Sequence, residues 1–137
     1  ACQTTQLAIH GCNESTDHNY LNIYGTDRSN IEALIKKRPE LAQKLHPDFP
    51  YTFAEIVWST KNEMAETVED ILSRRLRVLI IDAKAAIEMS ATVAAIMANE
   101  IGADKEWEDE QVKSFVKLAE GYTYQVKNKK ENPVLAE

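Results

Sequence analysis

The sequence has few of the residues that mark flexible or secreted proteins. Only 4 glycines and 4 prolines occur in 137 residues, which leaves room for long helices because these two residue types interrupt helices most strongly. Two cysteines, Cys2 and Cys12, are too few for a disulfide framework. A single Cys2–Cys12 bridge is one alternative, but reduced thiols in a cytoplasmic protein are the better interpretation.

Long apolar runs and a surplus of positive charge are also absent. The aliphatic run Val78–Ile81 is four residues long, whereas a membrane-spanning helix needs roughly 20 apolar residues. The 22 acidic and 16 basic residues give a net charge of −6. Proteins that bind nucleic acid usually carry a surplus of lysine and arginine, because these side chains replace counterions on the phosphates. We therefore predict no membrane span in this chain and no nucleic-acid partner.

What the sequence does contain is typical of one helical domain. Hydrophobic residues make up 44% and charged residues 28% of the chain, as in ordinary globular proteins. Apolar residues recur at helical spacing, and Thr52 with Glu55 and Thr67 with Asp70 have the spacing of a helix-capping box. Gly102 follows an apolar periodic segment and predicts a helix end there. We predict an all-α fold, a compact bundle of about five or six helices with an irregular N-terminal segment.

The pattern divides the chain into three parts. Residues 1–26 form the irregular N-terminal segment, with a short strand at Gln6–Ile9; residues 27–122 form the helical domain; residues 123–137 form a frayed or disordered tail. Within the helical domain we predict a short helix at Glu40–Leu45, a helix starting at Asp82 and a new helix starting at Ser90. A further helix begins after Thr52, with Met64 on its apolar side.

Three arginines interrupt the otherwise apolar segment Leu72–Asp82. On one continuous helix from Thr67, at about 100° per residue, Arg75 falls in the middle of the apolar face and Arg74 and Arg77 fall away from it. A buried strand ending at Asp82 is the alternative, but no glycine-rich turn follows and no second strand of this type exists. The sequence therefore favours a helix with one arginine pointing inward.

The three arginines are the candidate functional residues, as interdomain or phosphate-facing groups. Arg74 lies four residues after Asp70, the spacing of a surface ion pair, and Arg77 faces solvent or a partner. Arg75 needs a carboxylate in the core, a contact on another domain, or a phosphate ligand, because a buried guanidinium must be paired. Asp70 and Glu55 are the candidate structural partners.

No residues are predicted to be catalytic, cofactor-binding or metal-binding. The sequence has no phosphate-binding loop, no G-x-G-x-x-G turn and no nucleophile elbow. Four possible zinc ligands have spacings that match no zinc pattern: Cys2, His10, Cys12 and His18. Any signal of function therefore lies in the order of residues along the whole central segment.

That segment resembles the C-terminal domain of FAD-dependent glycerol-3-phosphate dehydrogenases and of the related alpha-glycerophosphate oxidases. The resemblance covers roughly residues 7–122. It rests on "FPYTFAEIVW" (Phe49–Trp58), the Thr67–Asp70 segment, the arginines at 74, 75 and 77, and "DAKAAIE" (Asp82–Glu88), and more weakly on "LAIHG" (Leu7–Gly11) and "YGTD" (Tyr24–Asp27). The sequence departs from the family at Leu76, where threonine is common, and at Ser90–Thr92, where proline is common.

The resemblance implies more than the residues themselves indicate. Enzymes of this family oxidise sn-glycerol 3-phosphate to dihydroxyacetone phosphate, and their FAD passes electrons to quinone, or to oxygen in the oxidases. FAD belongs to an N-terminal flavin domain, so this chain would be a helical accessory domain that packs on and braces that domain, holds no cofactor and is inactive alone. The start at Ala1 instead of methionine fits such a part of a larger enzyme.

Location and assembly are further expectations from the resemblance. The enzyme would be cytoplasmic, at the inner face of the membrane through other parts of the polypeptide, and able to form a homo-oligomer. The alternative from a different functional class is a free-standing acidic helical interaction module without enzymatic activity.

Overall fold

The computed structural model describes residues 2–9, 11–12 and 19–123, and these residues form an all-helical fold. Five α-helices are joined by two 3-10 helices, Tyr20–Asp27 and Pro39–Ala42, and by a π-helix, Asp70–Arg75. The α-helices are α1 (Arg28–Lys37), α2 (Phe53–Asn62), α3 (Val78–Ile81), α4 (Ala83–Ile101) and α5 (Lys105–Glu120). Extended pairing among the described residues is limited to one isolated bridge, Lys44 with Thr52. The predicted all-α class is confirmed.

The core lies around α4, which packs against α2, α3 and α5. Its main cluster joins Ile56 of α2 to Val68, Ile71 and Leu72, and then to Met89 and Val93 of α4, each at most 1% exposed. A second, smaller cluster holds the N-terminal elements on the other side of α2, through Leu21, Ile31 and Leu41. Each large apolar side chain buried in this way contributes about 1.5–3 kcal/mol.

The helix ends at Thr52, Asp82 and Gly102 lie where the sequence predicts them. The capping box of Thr52 and Glu55 is formed at the start of α2. The Asp82 carboxylate accepts from the backbone N–H groups of Lys84 and Ala85, both at 3.0 Å, and opens α4. Gly102 ends α4 in the left-handed conformation, with φ 74°. These ends agree with the sequence because caps depend only on neighbours along the chain.

Several predicted boundaries are wrong. α4 runs unbroken through Ser90, which is 1% exposed and donates its hydroxyl proton to the Ile87 carbonyl oxygen at 2.7 Å, since a serine inside a helix can bond to the preceding turn. The predicted helix Glu40–Leu45 is a 3-10 helix that starts earlier, at Pro39, and ends at Ala42. The predicted strand Gln6–Ile9 is absent, because Gln6 ends a turn and the next three residues are irregular.

The largest correction concerns the segment after Thr67. It is not one continuous α-helix: the π-helix ends at Arg75, Arg77 adopts a left-handed φ of 58°, and α3 follows. The Leu76 N–H donates to the Ile71 carbonyl oxygen at 2.9 Å, five residues back, as in a π-turn. Met64, predicted on the apolar side of α2, is 86% exposed. The strand alternative is wrong as well, since residues 78–81 are helical.

Some predictions concern residues outside the described ranges. His10 and His18 of the zinc interpretation and tail residues 124–137 belong there. The 3-10 helix Tyr20–Asp27 crosses the predicted boundary at residue 26. Cys2 and Cys12 are both free and exposed, so no bridge joins them. No helix that the structure describes is both long and apolar enough to cross a membrane.

Candidate functional site

The three arginines line one cleft at the end of the π-helix. The cleft has a volume of about 640 Å³, and Arg74, Arg75 and Arg77 share its wall with Ile23 and Ile81. The break between the π-helix and α3 turns these side chains toward the same opening. We call this site the arginine cleft.

Arg75 contacts a carboxylate, and that carboxylate is Glu63. The Arg75 Nε lies 3.2 Å from the Glu63 Oε2, and the Arg75 Nη2 donates to the Glu63 backbone oxygen. The Arg75 side chain is 33% exposed, against 53% for that of Arg74. Arg75 is thus the more buried of the two, but it lies at the edge of the core and not in the middle of the apolar face.

The π-turn explains this shift from the predicted position. When the backbone bond closes five residues back, the stripe of buried residues continues from Ile71 to Leu76, which are 0% and 2% exposed. Leu76 therefore occupies the inward position, and Arg75 moves to the rim. The constant step of 100° per residue, on which the projection depended, does not hold in this segment.

Arg74 is placed beside Asp70, as the spacing of four residues predicts. Its guanidinium pairs with the Asp70 carboxylate and lies 2.7 Å from the Glu69 Oε1. Asp70 also accepts from the Thr67 backbone N–H at 2.9 Å and from the Thr67 hydroxyl at 2.8 Å. Partial burial opposes ionisation of Asp70, but the hydrogen bonds from Thr67, Glu66 and Arg74 outweigh it and lower the pKa of the carboxyl group.

Arg77 differs from both of its neighbours. Its side chain is exposed, and its guanidinium makes no hydrogen bond or ion pair with the part of the chain that the structure describes. Its backbone has a left-handed φ of 58°, a conformation that is unfavourable for residues other than glycine. The roles of the three arginines toward another domain or a phosphate stay predictions.

Glu55, the other predicted partner, binds tyrosine hydroxyls and, within the described part of the chain, no arginine. Its buried carboxylate accepts from the hydroxyls of Tyr20 and Tyr24, both at 3.2 Å, and from the Thr52 backbone N–H at 2.7 Å. Burial raises the pKa of Glu55 against the effect of these hydrogen bonds. Burial, followed by the charge of Glu55, raises the pKa of Tyr20 to about 12. Glu55 thus holds the N-terminal segment to α2.

The sequence analysis did not identify the buried carboxylate of Glu100 as an ion-pair partner. The Glu100 side chain, 4% exposed, pairs with the guanidinium of Arg38 at 2.6 Å and with the ammonium group of Lys61. Desolvation opposes ionisation of Glu100, but Lys61 and Arg38 outweigh it and lower the pKa of the carboxyl group. Arg38 precedes Glu100 by 62 residues, so no local sequence pattern could indicate the pair.

The glycines of the N-terminal segment are used for packing and do not form a nucleotide cradle. A Cβ on Gly25 would lie 1.6 Å from the Gly11 carbonyl oxygen, and that oxygen accepts from the Thr26 N–H at 3.2 Å. A flavin dinucleotide needs glycines whose backbone is open to its pyrophosphate, and these two do not fit that need. Among the described residues, no three His, Cys, Asp or Glu side chains form a metal-binding group.

Comparison with known proteins gives the chain a family context. Residues 2–111 match the protein family described as the C-terminal domain of alpha-glycerophosphate oxidase. The probable mitochondrial glycerol-3-phosphate dehydrogenase of Caenorhabditis elegans is 32% identical over 108 residues, covering 73% of this chain and 15% of the relative. No solved structure matches the chain.

Two further relatives bear similar names. The glycerol-3-phosphate dehydrogenase of Synechocystis sp. is 27% identical over 93 residues, covering 68% of this chain and 17% of the relative. The mitochondrial glycerol-3-phosphate dehydrogenase of Schizosaccharomyces pombe is 35% identical over 75 residues, covering 55% of this chain and 11% of the relative. The chain thus spans less than one fifth of the length of these relatives.

Proposed function

Because this chain belongs to the family of C-terminal domains of alpha-glycerophosphate oxidase, we propose that it is the accessory C-terminal domain of an FAD-dependent glycerol-3-phosphate dehydrogenase. The observation that carries the proposal is the family match over residues 2–111. The relatives named glycerol-3-phosphate dehydrogenase support it. This membership favours the accessory domain over the free-standing acidic interaction module.

In this proposal the whole enzyme oxidises sn-glycerol 3-phosphate to dihydroxyacetone phosphate and passes the electrons to quinone. When bound, FAD supplies the redox chemistry, and the flavin domain of the same polypeptide holds it. The tight packing of Gly25 on Gly11 supports this division of labour, because it leaves that backbone closed to a pyrophosphate. A cytoplasmic location, with other parts of the enzyme at the inner face of the membrane, belongs to the same proposal.

The domain itself would pack on the flavin domain and brace it. Two observations support a structural role. α4 organises a core of its own, so the helices can hold their arrangement as a unit. Large apolar side chains nevertheless remain on the surface, among them Ile23, Ile80 and Ile81, and exposed apolar patches often mark contacts between domains.

The test compares the complete enzyme with its parts. The polypeptide encoded by the complete reading frame should contain FAD and reduce a quinone when given glycerol 3-phosphate, whereas the 137-residue chain alone should show neither flavin absorbance nor activity. Deleting the residues of this chain from the complete enzyme should lower its thermal unfolding midpoint. A reading frame without a flavin-binding segment, or a yellow and active isolated chain, would overturn the proposal.

A further inference from the structure

Exposed apolar side chains lie at the arginine cleft and next to it in the chain. Ile23 and Ile81 line it and are 70% and 65% exposed, and Ile80, next to Ile81 in α3, is 71% exposed. Val78 and Leu79 of the same short helix are buried, so α3 presents one apolar pair to the core and a second pair to solvent. A monomeric surface gains nothing from two adjacent exposed isoleucines, whereas a contact surface buries them.

Arg77 supplies a charge to the same cleft that no described residue pairs with. Arg74 is neutralised by Asp70 and Glu69, and Arg75 by Glu63. Arg77 has no such partner within the described ranges. An exposed guanidinium next to isoleucines has the composition of an interface anchor, in which arginine is enriched and to which a carboxylate of the partner binds well.

Backbone strain is concentrated beside this cleft as well. Met64 and Arg77, with φ of 54° and 58°, are the non-glycine residues of positive φ among those described. Met64 follows Glu63, which lines the cleft, and its side chain is 86% exposed. Glycine would adopt both conformations without steric cost. Long side chains held at strained positions in solvent indicate a role for the side chains themselves.

We propose that the surface formed by Ile23, Met64, Arg77, Ile80 and Ile81, the Arg77 surface, is the docking surface for the flavin-bearing part of the same enzyme. The inference rests on the proposed function, and it identifies the face of this domain that contacts the flavin-bearing part. The facing surface is apolar and presents a carboxylate to Arg77. The match spans 15% of the relative from Caenorhabditis elegans, so the rest of such an enzyme is large enough to supply the partner surface.

A small anion is a poorer occupant of this surface. A phosphate bound to Arg77 would leave Ile23, Ile80 and Ile81 in water. A protein surface satisfies the charge of Arg77 and buries the apolar side chains at once.

Photo-crosslinking in the complete enzyme tests the location. Benzoylphenylalanine replaces Ile81, and in a matched control it replaces Ile101, an isoleucine 51% exposed at the end of α4. Position 81 should crosslink to peptides of the flavin-bearing part, and position 101 should not. Crosslinks from position 81 to a second copy of this chain would overturn the proposed occupant. An active, FAD-containing enzyme with no crosslink from position 81 would overturn the inference and leave the proposed function standing.

Substitution tests the charge. With a protease site placed before Ala1 of the complete enzyme, the cleaved parts are diluted and their association is measured. Arg77→Glu should weaken association by on the order of tenfold or more, the loss expected of an interface arginine. The control Lys113→Glu, at an exposed position of α5, should leave association unchanged. Equal association of the two variants would overturn the inference. Wild-type parts that never associate would overturn the proposed function with it.

A glycine variant separates docking from folding. Arg77→Gly removes the side chain and relieves the left-handed backbone, so the 137-residue chain should unfold at an unchanged or higher urea concentration. The same variant should weaken association of the cleaved parts, but by less than Arg77→Glu, because it removes the charge without reversing it. If it lowers the urea midpoint and leaves association intact, Arg77 serves the fold of this domain and the inference fails.

Discussion

At the scale of single residues, Arg74 and Arg75 show how adjacent identical side chains acquire different roles. Arg74 pairs with Asp70 and Glu69 on the surface, within its own helix. Arg75 contacts both the carboxylate and the backbone oxygen of Glu63 and so ties the π-helix to the turn after α2. A contact that joins separate segments contributes more than a solvated pair within one helix.

We therefore expect Arg75→Ala to destabilise the chain more than Arg74→Ala. The loss should be about 1–2 kcal/mol for Arg75→Ala, which leaves the Glu63 carbonyl oxygen without the Arg75 donor and the Glu63 carboxylate with the Ser59 hydroxyl, and less than about 1 kcal/mol for Arg74→Ala. Urea unfolding of the two variants measures the difference. Arg75→Lys keeps the charge but not the two-point contact. Its loss of stability should lie between the losses of the two alanine variants. Equal midpoints for both alanine variants would contradict the assignment.

Glu55 gives a second prediction at this scale. Glu55→Ala removes the acceptor for Tyr20, Tyr24 and the Thr52 N–H together. We expect a loss of about 2–4 kcal/mol from the lost cap and the unpaired hydroxyls, measured by urea unfolding. Glu110→Ala, an exposed position on α5, is the control and should change stability little. A loss no larger than that of the control would mean that water satisfies these donors equally well.

At the scale of elements, helix ends decide how the bundle is divided. α4 ends at Gly102 with φ 74°, and a Cβ added there would meet nothing within 4 Å. Gly102 is therefore required for its backbone conformation and not for space. The π-helix ends differently, with Arg77 in a similar left-handed conformation but with a side chain that must bear the steric cost.

Gly102→Ala should isolate this backbone cost. We expect destabilisation by about 1–2 kcal/mol, the price of a left-handed alanine, seen as a lower urea midpoint. The control is Gly121→Ala, since Gly121 has an ordinary φ of −66°; we expect the smaller effect there, with only a 3.3 Å contact to the Leu118 carbonyl oxygen to relax. Similar losses at both positions would show that φ is not the deciding factor at Gly102.

At the scale of the whole molecule, Glu100 connects α4 to two other elements. Its carboxylate binds Arg38, which follows α1, and Lys61, near the end of α2. The pKa of Glu100 is lowered in the folded protein. The stability from this carboxylate is therefore present above its unfolded pKa and is lost as pH falls through the folded value.

Glu100→Gln should consequently flatten the acid side of the stability profile. The free energy of unfolding of the wild type should fall as pH drops below the ordinary glutamate value of 4.5, and the variant should lose less over the same range. Urea unfolding at a series of pH values measures both curves. Glu110→Gln, the exposed control, should follow the wild type. The idea fails if Glu100→Gln keeps the full acid dependence.

Glu55 affects the pH dependence of stability in the opposite direction from Glu100. Its pKa is raised in the folded protein, so its contribution to stability is greater at low pH.

The sequence by itself determined the features that depend on near neighbours along the chain. The all-α class followed from apolar spacing, and the caps at Thr52, Asp82 and Gly102 followed from residue type and position. The family resemblance followed from the order of residues in the central segment, which the match over residues 2–111 confirms. All of these are local or linear properties, and the sequence states them directly.

Only the tertiary structure decided where the arginines point and what they meet. Glu63 lies 12 residues before Arg75 and Glu100 lies 62 residues after Arg38, so neither pair has a helical spacing that a sequence pattern could show. The π-turn moved Leu76 into the core and Arg75 to the rim, because burying leucine is favourable whereas burying a guanidinium costs free energy unless it is fully paired. The resulting cleft, in which no described residue pairs with Arg77, exists only once the segments of Ile23 and Glu63 lie beside the π-helix and α3.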